Sequence, residues 1–116
     1  MKVSRVQPET SVGIHYIIDI DDMVTDLIND NKSLIEICEK ALELGKVTIL
    51  NKMIHHFEPH GLLTESHFSL HTWPEHHKIR IDFFSCENNE SKCNIVIDHL
   101  KTGMNCMDMK VKMLKR

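Results

Sequence analysis

The sequence predicts an α+β fold, a two-layer sandwich in which two helices cover one face of a mainly antiparallel sheet. Four segments alternate apolar and polar residues with the period of a strand, a fifth segment is also predicted to be a strand, and two segments repeat apolar residues with the spacing of a helix. Their order along the chain is β-α-β-β-β-α-β, and 116 residues is the size of one domain. We therefore expect residues 1–116 to form a single domain.

The first part of the chain is predicted to contain one strand and one helix. Alternating apolar residues indicate a strand over Val12–Ile20, followed by a short helical turn at Met23–Ile28. An apolar stripe indicates a helix over Ser33–Leu44, whose first residue and Glu36 fit a capping box. Gly45 is then expected to end this helix in the left-handed conformation.

The middle of the chain is predicted to form three strands. Val47–Phe57 is the first of them, and the segment that follows, Glu58–Gly61, is typical of a turn because it combines Pro and Gly. His67–Trp73 and Ile79–Cys86 are the other two, joined by the polar connector Pro74–Lys78. Because the connector is short, we expect these two strands to form a hairpin.

The last part of the chain is predicted to add a helix over Ser91–Lys101, ending at Gly103, and a strand over Met107–Met113. With both helices on one face of the sheet, the other face is expected to carry polar side chains: Ser69, His71, Asp82 and Cys86. A polar sheet face of this kind contacts water, a ligand or the surface of a partner.

Composition and charge exclude several classes of function. The net charge of −3 excludes the basic surface of a nucleic-acid-binding protein, and no run of about 18 apolar residues is present that could cross a membrane. The polar segment Met1–Ser11 lacks the apolar core of a signal peptide, so we expect a cytoplasmic protein. The nine histidines show no spacing typical of a metal site, and the four cysteines are expected to be reduced thiols.

Eleven consecutive residues, Glu65–Glu75 (ESHFSLHTWPE), closely resemble the signature of the bacterial-type S-adenosylmethionine decarboxylases, which are pyruvoyl-dependent enzymes of polyamine synthesis. Ile81–Cys86 (IDFFSC) resembles the strand of that family that ends in a catalytic cysteine, and it follows at the family's separation. Gly13–His15 is similar to the family's opening strand, and Phe57–Gly61 is similar to the segment that leads into the site. The resemblance therefore extends over nearly the whole chain.

The resemblance implies a proenzyme that cuts itself between Glu65 and Ser66, giving a β chain of residues 1–65 and an α chain of residues 66–116. Ser66 would become a pyruvoyl group that forms a Schiff base with the substrate, and His71 would assist the self-cleavage. Ser66 and His71 lie an odd number of residues apart, so an ideal strand directs them to opposite faces. Their cooperation therefore needs a bend near Ser66 or an approach across a dimer interface.

The resemblance also implies roles for three further residues. Cys86 would be the proton donor that acts after decarboxylation, Glu75 would bind the ribose hydroxyls of S-adenosylmethionine, and Phe57 would stack on its adenine ring. The product would be the aminopropyl donor for spermidine synthesis. The family implies a homodimer, or an αβ heterotetramer after cleavage, without a metal and without a nucleic-acid or membrane partner.

The sequence departs from the family just before the cleavage position. Only Leu62, Leu63 and Thr64 lie between Gly61 and Glu65, a shorter segment than the family usually has. Two alternatives therefore stay open. The protein could be a decarboxylase of the same family that acts on arginine or ornithine, or an unprocessed, catalytically inactive homologue that binds ligand or regulates an active subunit.

Overall fold

The structure, a computed structural model, describes residues 13–116 apart from positions 48, 56–57, 64–65, 88 and 107, and it describes the backbone alone at positions 49–55, 58–63 and 66. This part of the chain contains six strands, three α-helices and a 3₁₀ turn at Pro74–His76. The strands are β1 (Ile14–Asp21), β2 (Ile49–His55), β3 (Glu58–Leu63), β4 (Ser66–Trp73), β5 (Lys78–Ser85) and β6 (Asp108–Lys115). The helices are α1 (Thr25–Ile28), α2 (Asn31–Leu44) and α3 (Glu90–Gly103).

The six described strands form one antiparallel sheet in the order β2-β3-β4-β5-β1-β6. β4 and β5 form the predicted hairpin, in which Ser66 stands opposite Ser85 at the open end and Trp73 stands opposite Lys78 at the turn. β1 lies between β5 and β6 and pairs with both. The α+β prediction is confirmed, although the described sheet has one strand more than the sequence predicted.

The apolar core lies between one face of this sheet and the helices α2 and α3. A fully buried large apolar side chain contributes about 1.5–3 kcal/mol, so the core dominates the stability of the fold. As predicted, the described helices lie on one sheet face and leave the other to polar side chains. The sheet and the two helices supply these core residues: Ile14, Tyr16, Ile18, Ile20, Phe68, Leu70, Ile79, Ile81, Phe83, Leu34, Cys38, Ala41, Leu42, Cys93, Val96 and Leu100.

The turn predicted at Glu58–Gly61 is wrong, because these residues begin strand β3. β3 has partners on both sides, since it pairs with β2 along its length and with β4 from His60 to Leu62. Pairing on two sides outweighs the local turn preference of Pro and Gly. Pro59 lies beyond the stretch paired with β4, so its missing N–H costs no hydrogen bond to that strand.

The capping box predicted at Ser33 is also wrong. α2 begins two residues earlier, and its N-cap is Asp30, whose carboxylate accepts hydrogen bonds from the Ser33 N–H at 3.1 Å and from the Ser33 hydroxyl at 2.7 Å. These hydrogen bonds hold the pKa of Asp30 below its ordinary value. Ser33 is therefore the third residue of the helix and a donor to the cap.

The left-handed helix end predicted at Gly45 is wrong as well. Gly45 has a φ of −79°, and the next residue, Lys46, takes the left-handed conformation with a φ of 59°. Glycine is needed at this position for another reason, because a Cβ would lie 2.4 Å from Cγ2 of Val96 in α3. Gly45 thus lets α2 and α3 pack closely.

The other predicted elements are confirmed with shifted ends. The second predicted helix begins at Glu90, after its N-cap Asn89, and the left-handed residue that follows it is Asn105. Val12, Phe57 and Met107, at the ends of predicted strands, lie outside the described residues. Among the described residues, no helix has the length and apolar character needed to cross a membrane.

Candidate active site

The sheet face that the helices leave uncovered is called the outer face. It is formed by alternate side chains of β1, β4 and β5, and the register puts Ser69 opposite Asp82 and His71 opposite Arg80. The polar face predicted from the sequence is therefore present. Its half-exposed members in these three strands include His15, Ser69, His71, Arg80, Asp82 and Phe84.

A histidine–aspartate pair lies on the outer face. His15 Nε2 is 3.1 Å from a carboxylate oxygen of Asp82, and the ring of Phe84 stands edge-on to His15 with centroids 6.4 Å apart. A Cβ on Gly13 would lie 2.5 Å from the Phe84 ring, so only glycine allows this ring to lie over the start of β1. The two motif residues of the opening strand therefore have distinct structural roles: Gly13 makes room for Phe84, and His15 holds Asp82.

Arg80, the neighbour of His71, is held by two carboxylates. Its Nε lies 3.4 Å from Asp19, and its Nη1 lies 3.2 Å from Asp21. Nη1 also donates to the backbone carbonyl oxygen of Ile20 at 3.3 Å. These contacts tie β5 to the end of β1, and they balance the charge of Arg80 where it neighbours His71.

Two of the predicted site residues lie at the open end of the β4–β5 hairpin. Ser66 is the first residue of β4 and stands opposite Ser85, and the exposed Cys86 follows Ser85 directly. Directly opposed residues of antiparallel strands hold their Cα atoms about 4.5–5.5 Å apart, so the backbones of Ser66 and Cys86 are close neighbours. The fold thus brings these two positions together.

His71 and Glu75 lie far from this end. His71 is five residues from Ser66 along β4, about 16 Å at 3.3 Å per residue, and its ring stacks on Trp73 with centroids 6.2 Å apart. The β4–β5 register is unbroken, so no bulge turns Ser66 and His71 to the same face. Glu75 is exposed in the turn at the other end of the hairpin. The described strands of a single chain therefore do not bring His71 and Glu75 to Ser66.

The turn that carries Glu75 is fastened by His77, which the sequence reasoning did not identify. His77 is left-handed with a φ of 56°, its Nδ1 lies 2.9 Å from the carbonyl oxygen of Met23, and its own carbonyl oxygen accepts from the Met23 N–H at 3.0 Å. The left-handed conformation costs a non-glycine residue about 1–2 kcal/mol, which the two hydrogen bonds offset. The connector between β4 and β5 is short and contains no glycine, which was the signal that one of its other residues takes the left-handed conformation.

Three polar side chains are buried under the open end of the hairpin, and they are called the buried polar cluster: Tyr16, Ser85 and Cys93. They are 2%, 3% and 1% exposed. The Cys93 thiol interacts with the hydroxyls of both Ser85 and Tyr16. Burial raises the pKa of Cys93 and of Tyr16, so both groups keep their protons at neutral pH. The sequence reasoning missed this cluster, although counting the hairpin pairs back from the turn would have set Ser85 opposite Ser66.

The side chains of three predicted site residues lie outside the described part of the structure. Phe57 and Glu65 lie outside the described residues, and Ser66 is described by its backbone alone. The roles assigned to them by resemblance stay predictions. The position of Ser66 in the sheet is nevertheless fixed by its pairing with Ser85.

The cysteines and histidines offer no preformed metal centre in the part of the chain that the structure describes. No group of three or more His, Cys, Asp or Glu side chains in that part could hold an ion. No disulfide joins the four cysteines. Cys38 is buried in the core, where burial raises its pKa to about 12 and keeps the thiol neutral.

Comparison with known proteins identifies related sequences over almost the entire chain. A family model described as S-adenosylmethionine decarboxylase matches residues 14–116. The chain is 31% identical over 111 residues to the S-adenosylmethionine decarboxylase proenzyme of a Hydrogenobaculum species, which covers 91% of this chain and 82% of that protein. It is 32% identical over 112 residues to the S-adenosylmethionine decarboxylase proenzyme of Clostridium botulinum, which covers 90% of this chain and 93% of that protein.

The fold is shared with a solved structure. The crystal structure of the adenosylmethionine decarboxylase from Aquifex aeolicus is similar with a TM-score of 0.82 and a sequence identity of 25%. The similarity covers 91% of each chain. The arrangement of sheet and helices described above is therefore one that a solved decarboxylase also has.

Proposed function

This chain belongs to the S-adenosylmethionine decarboxylase family, and from that membership we propose that it decarboxylates S-adenosylmethionine to the aminopropyl donor of polyamine (spermidine) synthesis. The observation that carries the proposal is the family match over residues 14–116, which spans every described strand and helix. Arginine and ornithine are less favoured as substrates, because the relatives above are named for S-adenosylmethionine.

The proposed maturation is a self-cleavage between Glu65 and Ser66. The Ser66 oxygen attacks the Glu65 carbonyl carbon, the bond from that carbon to the Ser66 nitrogen breaks, and the amide becomes an ester. Loss of the α-proton of residue 66 then breaks the Cβ–O bond and releases Glu65 as a carboxylate. Water hydrolyses the resulting dehydroalanine to ammonia and a pyruvoyl group. The products are a β chain of residues 1–65 and an α chain of residues 66–116.

The residues around position 66 fit a pyruvoyl group. The β4–β5 ladder begins at Ser66, so the new N-terminus would stay anchored to Ser85 after the cut. The buried polar cluster lies beneath it and includes the Tyr16 hydroxyl, which has no hydrogen-bond partner in the described part of the chain. A pyruvoyl group supplies an electrophilic carbonyl that binds the substrate's amino group and accepts the electrons released as CO₂ leaves.

Cys86 is proposed as the proton donor to the substrate's α-carbon after CO₂ has left. Its thiol is exposed, and it follows directly on the residue opposite Ser66. A donor must come within hydrogen-bond reach of the atom that it protonates, and this neighbourhood supports that role. The other three cysteines are buried.

A second copy of the chain is proposed to complete the site. Within one chain, His71 and Glu75 lie towards the turn of the hairpin, away from Ser66. The outer face is half exposed and polar, and the reaction needs a site from which water is excluded. A homodimer in which two outer faces meet would cover this surface and bring His71 of one copy to the open end of the other copy's β4–β5 hairpin, where β4 begins at Ser66.

Glu75 and Phe57 are proposed to bind the nucleoside part of the substrate. Glu75 is an exposed carboxylate on a fastened turn, which suits hydrogen bonds to two ribose hydroxyls. An aromatic ring at Phe57 would stack on adenine and would also favour the sulfonium cation. His71 is proposed to assist the self-cleavage.

The proposal is tested on the purified full-length chain. We expect intact mass to show two fragments ending at Glu65 and beginning at residue 66, and borohydride or hydroxylamine to trap a carbonyl at the new N-terminus. Release of CO₂ is then compared for S-adenosylmethionine, arginine and ornithine. A single uncut species without a trappable carbonyl would contradict the enzymatic function and favour an inactive homologue.

A further inference from the structure

The residue opposite the proposed cleavage position carries a buried hydroxyl. Ser85 pairs with Ser66 across the β4–β5 ladder, and it is 3% exposed. Its Oγ accepts a long hydrogen bond of 3.4 Å from the N–H of Glu87. Accepting this bond leaves the hydroxyl proton of Ser85 to be donated elsewhere.

The neighbours of Ser85 favour such a donation. Burial raises the pKa of the Cys93 thiol beside Ser85, so the thiol stays neutral, and a neutral thiol is only a weak acceptor for the Ser85 proton. The Tyr16 hydroxyl interacts in turn with Cys93 and finds no hydrogen-bond partner within the described residues. Cys93 lies between Ser85 and Tyr16, so both residues limit the positions open to the Ser85 side chain.

Burying the three polar side chains of this cluster lowers the stability of the fold unless they form hydrogen bonds. A polar side chain moved from water into an apolar core costs about 1–3 kcal/mol when it is not fully hydrogen-bonded. The core that surrounds the buried polar cluster is otherwise apolar, with Ile14 and Phe83 beside it. Ser85, one member of the cluster, stands opposite Ser66, where the chain is proposed to cut itself. A hydrogen-bond donor at this position could act on the cleavage.

We propose that Ser85 donates a hydrogen bond to the carbonyl oxygen of Glu65 while Ser66 attacks that carbonyl, and that Cys93 and Tyr16 hold the Ser85 hydroxyl in this position. Ser85 is then a catalytic residue of the self-cleavage, whereas Cys93 and Tyr16 are positioning residues. The inference rests on the proposed self-cleavage and names a residue that performs it.

The chemistry of the first step explains why a neutral donor helps. As the Ser66 oxygen bonds to the carbonyl carbon, the π electrons of the carbonyl move onto its oxygen, which becomes negative. When the bond to the Ser66 nitrogen breaks, the electron pair on the oxygen re-forms the carbonyl double bond, and that nitrogen takes the proton that the Ser66 hydroxyl has lost. Removing one donor from such an oxyanion typically slows a reaction by about 10²–10³-fold.

The main experiment measures the rate of self-cleavage from intact mass on the freshly purified full-length chain. Ser85→Ala is expected to slow cleavage by about 10²–10³-fold, and Ser85→Thr, which keeps a hydroxyl, is expected to cleave at close to the wild-type rate. Thr72→Val is the matched control, because Thr72 is a buried hydroxyl residue at the other end of β4. The control should cleave like the wild type.

Two further variants test the positioning residues. Tyr16→Phe keeps the ring that stacks on Phe83 with centroids 6.0 Å apart, and it removes only the hydroxyl. We expect it to slow cleavage by a smaller factor than Ser85→Ala. Cys93→Ala should also slow cleavage, whereas Cys93→Ser, which keeps a donor, should restore most of the rate.

Hydroxylamine identifies the step that a variant slows. It cuts esters at neutral pH but leaves amides intact, so a chain arrested before the ester forms resists it. Uncut Ser85→Ala protein is therefore expected to resist hydroxylamine. Rapid cutting of that protein would contradict the inference, because it would show that the first step proceeds without the Ser85 hydroxyl.

The failures of the two proposals are distinguishable. If the wild type is cleaved and Ser85→Ala is cleaved equally fast, the role of Ser85 is wrong while the self-cleavage stands. If the wild type itself stays uncut, the self-cleavage is wrong and the role of Ser85 falls with it. If Ser85→Ala does not fold, as judged by thermal unfolding, Tyr16→Phe decides, and a wild-type rate for that variant overturns the inference.

Discussion

Exposure distinguishes Cys86 from the other cysteines of the chain. Cys38, Cys93 and Cys106 are buried, and burial raises the pKa of each of these thiols. Cys86 lies just beyond the end of β5, where a substrate can reach it. The sequence singled out Cys86 by its place at the end of a strand on the polar face and by its motif, because the spacing of the four cysteines carries no information about which of them is accessible.

Replacing Cys86 should separate the two proposed reactions. Cys86→Ala is expected to leave self-cleavage intact, because no step of the cleavage needs this thiol, and to lower the rate of decarboxylation by about 10²–10⁴-fold. Intact mass measures the first reaction and CO₂ release measures the second. Cys106→Ala serves as the control and should keep both activities, and equal losses in the two variants would contradict the role of Cys86.

The elements were predictable in kind but not in their ends or partners. Asp30 and Ser33 are both good N-cap residues three positions apart, and only the folded chain shows that Asp30 caps α2. The local sequence of β3 favours a turn, and it becomes a strand because β2 and β4 offer hydrogen bonds on both sides. Local patterns therefore predicted the layers, whereas pairing between distant segments decided the sixth described strand.

The Asp30 cap should make the stability of the protein depend on pH. Because its folded pKa lies below the ordinary value of 3.8, its contribution is present above that value and is lost as the pH falls through the folded pKa. Asp30→Ala is expected to lower the unfolding temperature at pH 7, and the difference from the wild type should shrink as the pH falls below 3.8. Asp30→Asn keeps a hydrogen-bond acceptor at the N-cap, so its unfolding temperature at pH 7 should fall less than that of Asp30→Ala.

Asp26→Ala is the matched control for the cap prediction. Asp26 lies in the first turn of α1, where no side chain forms the N-cap hydrogen bond. Its replacement should therefore change the unfolding temperature little. An Asp30→Ala variant as stable as Asp26→Ala at pH 7 would show that the cap does not stabilise α2.

The turn between β4 and β5 should control substrate binding through His77. His77→Ala removes the hydrogen bond to Met23 and loosens the turn that carries Glu75. The loss of one hydrogen bond, about 0.5–1.5 kcal/mol, predicts a rise in KM for S-adenosylmethionine of between about 2- and 13-fold with little change in kcat.

His77→Asn is the control for this prediction. Asparagine tolerates the left-handed conformation, and its amide nitrogen is the same number of bonds from the backbone as Nδ1 of histidine. We expect it to keep KM near that of the wild type. A fall in kcat with an unchanged KM in His77→Ala would instead link the turn to the chemical step.

On the scale of the whole molecule, the described strands of one chain do not bring the proposed site residues Ser66 and His71 together. The length of β4 separates Ser66 from the turn, and His71 lies about 16 Å along it with the opposite parity. The odd spacing of Ser66 and His71 in the sequence already indicated that they face opposite sides of the strand. The unbroken β4–β5 register shows that no bulge in β4 turns them to the same side. The proposed second copy would instead bring its His71 to the open end of the hairpin.

Mixed dimers test this arrangement directly. Ser66→Ala chains cannot cut themselves, and His71→Ala chains should not cut when they are alone. When the two variants are expressed together with different tags, the His71→Ala chain should be cleaved, because its partner supplies an intact His71. A His71→Ala chain that stays uncut in verified mixed dimers would show that His71 acts within its own chain.

The position of β1 between β5 and β6 has a consequence for the cut protein. β1 would belong to the first fragment, while both of its neighbours would belong to the second. The fragments would then alternate within one sheet, so that neither could rebuild it alone. Before the cut, β1 reaches its place within one molecule, but afterwards the same event needs two molecules to meet. A mature enzyme that unfolds at high dilution would not refold, so its lifetime would be set by how slowly it opens.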